Sequence, residues 1–393
     1  WDADRNGFIW VSGCWRAAPP KMSWVPGYWA KVGKGWKWVS GFWIQAGAGE
    51  FEYVKDPPAV PDIEPAGLAP SSDVVWVPGC WYWSHGQYVW RPGYWLQEQP
   101  GWIWIPSRYA WTPHGYVFVG GHWDYSLEHR GVLYAPVCFP RTFVPRPGFS
   151  ISLGIVIDIG LLKVNLFTCP RYSHYYFGDY YDDIYLRVGI LPRFSDARRH
   201  ACYDPIFEHD RWAGRQKDPR WEDNERRNYE TRRDNRELRP AVTYHDQESR
   251  VMKVKEPQRN NVRLAQPMSD VVSEKKMDQR YEHMDTEVQK KYSKQGSEVQ
   301  QYREERTRWE SRQQPERATQ DQAERSGQSN IQNDRRVSES SYPDHVKVPS
   351  SPIVGWQGPS RQGDSFPSVP GGENVSRGMP MDDGGHGGGR TRQ

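Results

Sequence analysis

The sequence predicts an all-β antiparallel meander of 14-residue Trp-rich repeats, followed by a partly helical and largely disordered C-terminal region. Three observations predict it. A hexapeptide, Trp-x-x-Gly-x-Trp, recurs at constant spacing. Of the 21 Trp residues, 17 fall between Trp1 and Trp123. From about Asp210 onward the chain is dominated by Arg, Glu, Asp, Gln and Asn, with too few apolar residues for a second large core.

Complete copies of the hexapeptide begin at Trp10, Trp24, Trp38, Trp76 and Trp90, and weaker copies at Trp104, Phe118 and Tyr134. The anchors at 10, 24 and 38, and those at 76, 90, 104 and 118, are each 14 residues apart. Two residues before each anchor stands another large apolar residue: Phe8, Met22, Trp36, Tyr88, Trp102, Tyr116. A spacing of two places both on one face of a strand, and aromatic enrichment favours strand over helix. Turn clusters such as Ser84-His-Gly-Gln87 and Thr112-Pro-His-Gly115 separate the copies. Fourteen residues are too few for a strand-helix unit, which leaves an antiparallel arrangement.

The Pro-Gly pair inside the hexapeptide admits two geometries. Trp24 and Trp29 are five apart, so one bulged residue would restore them to a common face. Alternatively Pro-Gly is a tight turn and the two Trp face each other. Tight hairpins prefer primed turns, which Pro-Gly does not suit, and this weighs toward the bulged strand.

The copies divide the chain. Residues 1–54 form a first repeat block, and Trp1 resembles Trp83, so a further copy is expected before it. Residues 55–73 read as a Pro-rich linker and 74–139 as a second block. Residues 140–210 alternate apolar side chains from Ile151 to Leu161 and then become Tyr-rich; β-structure and loop packed beside the repeats is expected. Residues 211–312 are charged and partly helical, with a sparse apolar stripe of Met277, Tyr281, Met284, Val288, Tyr292, Val299, Tyr302 and Trp309 over 268–312. Residues 313–393 read as disordered tail.

Charge and hydropathy exclude several classes. The net charge is +3, from 52 basic and 49 acidic residues, which creates no strong overall field for nucleic acid or anionic lipid. Arg226-Arg227 and Arg232-Arg233 are interleaved with acids. No apolar run is long enough to form a transmembrane segment. Gly-x-Ser-x-Gly, His-Glu-x-x-His and Walker patterns are absent, so no catalytic residue is assigned and no enzyme is expected. No cofactor or metal is assigned either.

The hexapeptide and its period resemble the WXXGXW (YXWGXW) repeat family of bacterial proteins, over residues 1 to about 139. The resemblance implies a secreted or cell-envelope location and carries no activity with it. Later copies depart from the pattern: Ser107-Arg-Tyr109 replaces Gly-x-Trp, and Tyr134-Ala-Pro-Val-Cys-Phe139 lacks the Gly.

Within the repeats, Trp10, Trp15, Trp24, Trp29, Trp38, Trp43, Trp76, Trp81, Trp90, Trp95 and Trp104 read as structural anchors that fill the core. Tyr28, Phe42, Trp83 and Tyr94 then fall on the other face and form a candidate aromatic platform for a ligand. Cys14, Cys80 and Cys138 share the column of Tyr28 and read as small fillers; with Cys169 and Cys202 they offer no Cys-x-x-Cys. His85, His114 and His129 sit in turns, and His122 on a packed face. Asp179, Asp182 and Asp183 lack calcium-loop spacing. The expected function is a non-enzymatic structural or interaction protein of the bacterial cell envelope, whose partner is an envelope protein or a polysaccharide; binding to polysaccharide or peptidoglycan through the exposed aromatics is the alternative. Nucleic acid is not favoured as a partner.

Overall fold

Successive copies of the hexapeptide pair with one another. In the computed structural model, Met22–Val25 lies antiparallel to Phe42–Gln45, and Tyr28–Val32 to Gly35–Val39. Together they make one long hairpin, here hairpin I, of residues 22–45. Hairpin II (74–97) pairs Val74–Val77 with Tyr94–Gln97 and Cys80–Ser84 with Gln87–Arg91. Hairpin III (102–125) pairs Trp102–Ile105 with His122–Tyr125 and Arg108–Thr112 with Gly115–Val119. The structure describes residues 7–10, 14–133, 137–140, 155–195, 203–273, 285–311 and 344–355, except 34, 62–64, 66, 170–173, 242, 256–257 and 349.

The Pro-Gly pair is a symmetrical break in both strands, neither a turn nor a single bulged residue. Val25 stands opposite Phe42 and Tyr28 opposite Val39, so the register is continuous across it. Two residues on each strand leave the ladder together, and this restores parity. Val25 and Tyr28 both point inward, while Trp24 and Trp29 both point outward. The hairpin ends are separate turns. In hairpin II, His85 (φ 50°) and Gly86 (φ 77°) are both left-handed, as a two-residue turn matched to strand twist requires. In hairpin III the Thr112 hydroxyl accepts from the His114 and Gly115 amides.

The expected antiparallel β-structure is thus present, grouped in twos instead of running as one sheet. The first and last copies follow the same rule across the chain. Gly7–Trp10 pairs with Val137–Pro140, and Cys14–Arg16 with Gly131–Leu133.

The hairpins stack. Val25 and Phe42 of hairpin I pack with Ala110, Val117 and Val119 of hairpin III, and with Phe51 and Tyr53 of the strand Glu50–Val54. That strand also pairs with Tyr116 and Val117. The opposite face of hairpin III, Trp104 and Trp123, packs on Val75, Val77 and Leu96 of hairpin II. One end of hairpin III, with Ile103, meets Ile157, Leu162, Leu166 and Ile206 from the region beyond the repeats.

That region corrects two expectations. The alternating run after Ile151 does not continue as strand. Residues 155–157 are strand, Ile159–Val164 is helix and Leu166–Cys169 is strand again. Asp158 makes the switch, accepting the Leu161 amide as an N-cap. The tail expectation over 313–393 also fails in part. Asp344–Lys347 adds to the edge of Glu50–Val54, and Trp24 donates its amide to the Ile353 carbonyl. The predicted helix over 268–312 is described as Met268–Ser273 and Thr286–Ser311. Met277, Tyr281 and Met284 of its stripe lie outside the described residues.

Candidate interaction surface

The two faces of each hairpin are set by a contact between indole and glycine. An added Cβ on Gly27 would sit 2.7 Å from Cζ2 of Trp38, and one on Gly121 would sit 2.6 Å from Cζ2 of Trp104. Gly41 meets Trp24, Gly79 meets Trp90 and Gly93 meets Trp76 in the same way. The anchor indole of one copy therefore lies flat over the motif glycine of its partner copy. No larger residue fits beneath the ring, which is why the hexapeptide keeps Gly at that place.

The second Trp of the partner copy closes the arrangement. Ring centroids are 5.0 Å apart for Trp24–Trp43, 5.3 Å for Trp29–Trp38, 5.4 Å for Trp76–Trp95, 5.1 Å for Trp81–Trp90 and 5.3 Å for Trp104–Trp123. These tilted and edge-to-face pairs are worth about 0.5–1.5 kcal/mol each beyond the area they bury. The core position expected for the motif Trp residues does not hold throughout: Trp104 is buried, whereas hairpin I turns its indoles away from its inner column. In hairpin I the inner column is Val25, Tyr28, Ala30, Val39 and Phe42, while the indoles face outward.

The expected platform residues are accordingly not an exposed row. Tyr28 is 4% exposed and Phe42 1%, both in the core. Tyr94 is half-buried against the cluster of Val75, Val77 and Leu96. Trp83 is half-buried on the outer face of hairpin II, edge-on to Tyr88 at 4.9 Å. Sequence reasoning placed the bulkiest side chains inside. Flat indoles need glycine beneath them, which gathers them on one face; in hairpin I that face is the outer one, and the Val, Tyr and Phe column is packed inward.

What is exposed is the indole face of hairpin I. Trp29 is 55% exposed, Trp36 67% and Trp38 41%. Trp36 and Trp38 are two apart on one strand, and Trp29 faces Trp38 across the ladder, so all three share one face. Lys31, opposite Trp36, is also exposed. In the sequence Trp36 stood only as the apolar residue preceding an anchor.

The inner face of the same hairpin is held by a group the sequence did not announce. Arg306, in the helix Thr286–Ser311, is fully buried and donates to the carbonyls of Pro26 (3.0 Å) and Ser40 (3.3 Å), at the break in the two strands. Its guanidinium lies over the rings of Tyr28 and Phe42. Glu310, one turn on, pairs with Arg306 at 2.9 Å and accepts the hydroxyls of Tyr28 (2.5 Å) and Tyr53 (2.9 Å). Burial, with the Glu310 charge beside them, holds both phenols well above their ordinary range. Tyr302 and Trp309 of the predicted stripe lie on the same side of the helix, and Trp309 donates to the Tyr53 hydroxyl at 3.1 Å.

The remaining candidates have structural surroundings. His114 packs edge-on to Tyr53, His129 bonds Ser126, and His85 bonds Ser84. His122 is buried with Nδ1 3.2 Å from the Gly120 carbonyl. Arg239 takes Asp179 and Asp182. The Cys80 thiol lies 3.3 Å from the Trp81 carbonyl and Cys169 is buried, the side chains of Cys14 and Cys138 lie outside the description, and so does Cys202. Among the described residues no three His, Cys, Asp or Glu side chains gather as a metal site, and no helix is long and apolar enough to cross a membrane.

Residues 22–43, 72–95 and 100–123 match the family described as WXXGXW repeat (2 copies), and each match coincides with one hairpin. Residues 22–123 carry WXXGXW repeats. The two-copy unit has a physical basis, because glycine and indole must come from different copies. A single WXXGXW copy leaves its Trp without a seat. No curated protein and no solved structure matches the chain.

Proposed function

We propose that this chain is a non-enzymatic interaction protein of the bacterial cell envelope, in which stacked WXXGXW hairpins form a rigid body and the outward indole face of hairpin I is the contact surface. The observation that carries it is the exposure of Trp29, Trp36 and Trp38 on a face that hairpin III buries in its own packing. A contiguous exposed aromatic row on an otherwise packed body marks an interaction site. The envelope location rests on the resemblance of the repeats to bacterial envelope proteins.

The test is retention of the full chain by isolated bacterial envelopes. Wild type is expected to be retained and Trp36→Ser to be lost, with unchanged far-UV CD. Equal retention of both would remove the face from consideration. Location is tested separately by fractionating the native protein; recovery in the cytoplasm would sink the envelope assignment.

A second reading has its own support. Exposed indoles stack on sugar rings, so the same face suits a polysaccharide, with Trp36 and Trp38 in the role first assigned to Tyr28, Phe42, Trp83 and Tyr94. Pull-down on a panel of insoluble polysaccharides including peptidoglycan checks it, since a single glycan should retain wild type and release Trp36→Ser.

A further inference from the structure

The exposed end of hairpin I is set apart by charge as well as by indoles. Between Asp4 and Glu50 the sequence contains no Asp or Glu, and the hairpin and its approach supply Lys21, Lys31, Lys34 and Lys37. The overall charge of +3 conceals this local excess, because the compensating acids lie in other parts of the chain. Hairpins II and III contain no lysine; their only arginines are Arg91 in the first and Arg108 in the second, the latter offset by Asp124.

The apolar part of this end is not only aromatic. Val32, beside the turn, is 41% exposed, together with Trp29, Trp36 and Trp38. The turn end is apolar on both sides: Val32 follows Lys31 in the strand and so points to the opposite face, that of Ala30, while Trp36 faces Lys31 across the ladder. Lys37 points to the other side, its Nζ 3.4 Å from the centre of the Trp111 ring. A sugar chain or a single-stranded nucleic acid would use the indole faces and leave Val32 unused. A membrane–water interface that the turn enters end-on takes in both sides of the tip and uses all of them. Indoles settle at headgroup depth, an aliphatic side chain gains by leaving water, and a lysine reaches phosphate with its stem in the apolar layer.

We propose that the turn end of hairpin I is an interfacial anchor for an anionic phospholipid surface. Trp29, Val32, Trp36 and Trp38 enter the headgroup region, and Lys31 contacts lipid phosphate. This rests on the reading of the same face as the contact surface and names what it contacts. The anchor is pre-shaped. Arg306 and Glu310 fix hairpin I from behind, and the Trp29–Trp38 pair is already formed, so little ordering accompanies binding.

The experiment is co-sedimentation of the full chain with vesicles of phosphatidylcholine, with and without phosphatidylglycerol, at low and raised salt. Wild type is expected on the anionic vesicles, with blue-shifted Trp emission and binding that falls with salt. Lys31→Glu changes the local charge by two and should weaken binding by about tenfold or more. Trp36→Ser should weaken it comparably, and Trp36→Phe should recover part, which separates lost apolar contact from lost fold. Both side chains are exposed, so thermal unfolding should not move. Binding equal on neutral and anionic vesicles, or unaffected by both Lys31→Glu and Trp36→Ser, overturns the anchor. Retention on peptidoglycan with none on vesicles overturns it too, while leaving the face as a contact surface. Loss of neither on Trp36→Ser removes both.

Discussion

Hairpins I and III are built from the same motif at the same register, and their faces have opposite fates. In hairpin III the indole face is interior, with Trp104 3% and Trp123 7% exposed, covered by the valine column of hairpin II. In hairpin I the indole face is open, and the valine column is closed by a helix from more than 250 residues away. Hairpin III supplies its own cationic and ring groups to that column, Arg108 and His122, whereas hairpin I has Tyr28 and Phe42 there and borrows Arg306. The glycine–indole lock makes a hairpin whose two faces are both capable of packing. Which face is buried is decided by neighbours, so one repeat can serve as core in one place and as surface in another.

The largest test of that comparison removes one indole from each hairpin. Trp104→Ala empties a buried site and is expected to cost about 3–5 kcal/mol, while Trp29→Ala loses a half-exposed ring and one aromatic pair, about 1 kcal/mol. Urea unfolding followed by far-UV CD reads both. Equal costs would mean that the indole faces of the two hairpins are not differently buried.

Next is the borrowed clasp. Arg306→Met strands Glu310 in a fully buried site and should cost about 3–5 kcal/mol, whereas Arg306→Met with Glu310→Leu should recover most of it. Hydrogen exchange should show the loss confined to hairpin I and the helix Thr286–Ser311. Loss spread evenly into hairpin III would contradict the assignment of the clasp to one hairpin. A double variant as unstable as the single would point to the carbonyls of Pro26 and Ser40 as what Arg306 chiefly serves.

The lock itself is tested by adjacent glycines. Gly121→Ala drives a methyl into Trp104 and is expected to cost about 3 kcal/mol, within the range for overpacking. Gly120→Ala meets nothing within 4 Å and should change stability by less than about 1 kcal/mol. Thermal unfolding of the two variants side by side decides it. If both behave alike, the motif glycine is not there for the indole.

Much of this was legible in the sequence, and the gaps have physical causes. The period and the strand character follow from Trp24-x-x-Gly27-x-Trp29 and the apolar residue two before each anchor. Pairing in twos was not legible, because each copy is equally able to pair with the next. The inward face was misread at Tyr28 and Phe42, since bulk alone favours Trp for the core and only the missing Cβ of Gly27 and Gly41 reveals where the indoles lie. Arg306 and Glu310 were invisible for a different reason. The stripe through Tyr302 and Trp309 marked the helix, but a buried ion pair in a region rich in Arg and Glu looks like any solvated pair. The lysines of hairpin I could have been found by summing charge over each hairpin, where the whole-chain balance hides them.

The smallest effect concerns pH and belongs to hairpin III alone. Burial pushes the His122 imidazole from 6.5 down to about 4; Asp124 opposes the shift, and Arg108 and Arg16 add to it. A base whose folded value is depressed binds protons first in the unfolded chain. Its contribution to stability is therefore intact above about 6.5 and is lost as pH falls toward 4. By about pH 5 the loss should be roughly 2 kcal/mol. Carboxylates elsewhere titrate in the same range, so the quantity to measure is the difference between wild type and His122→Leu in urea midpoints from neutral to acid pH. The variant should lack that part of the slope, and hydrogen exchange should show wild-type hairpin III opening before hairpin I, which has no histidine in its strands. Parallel slopes in the two proteins would mean that His122 is protonated without cost in the fold.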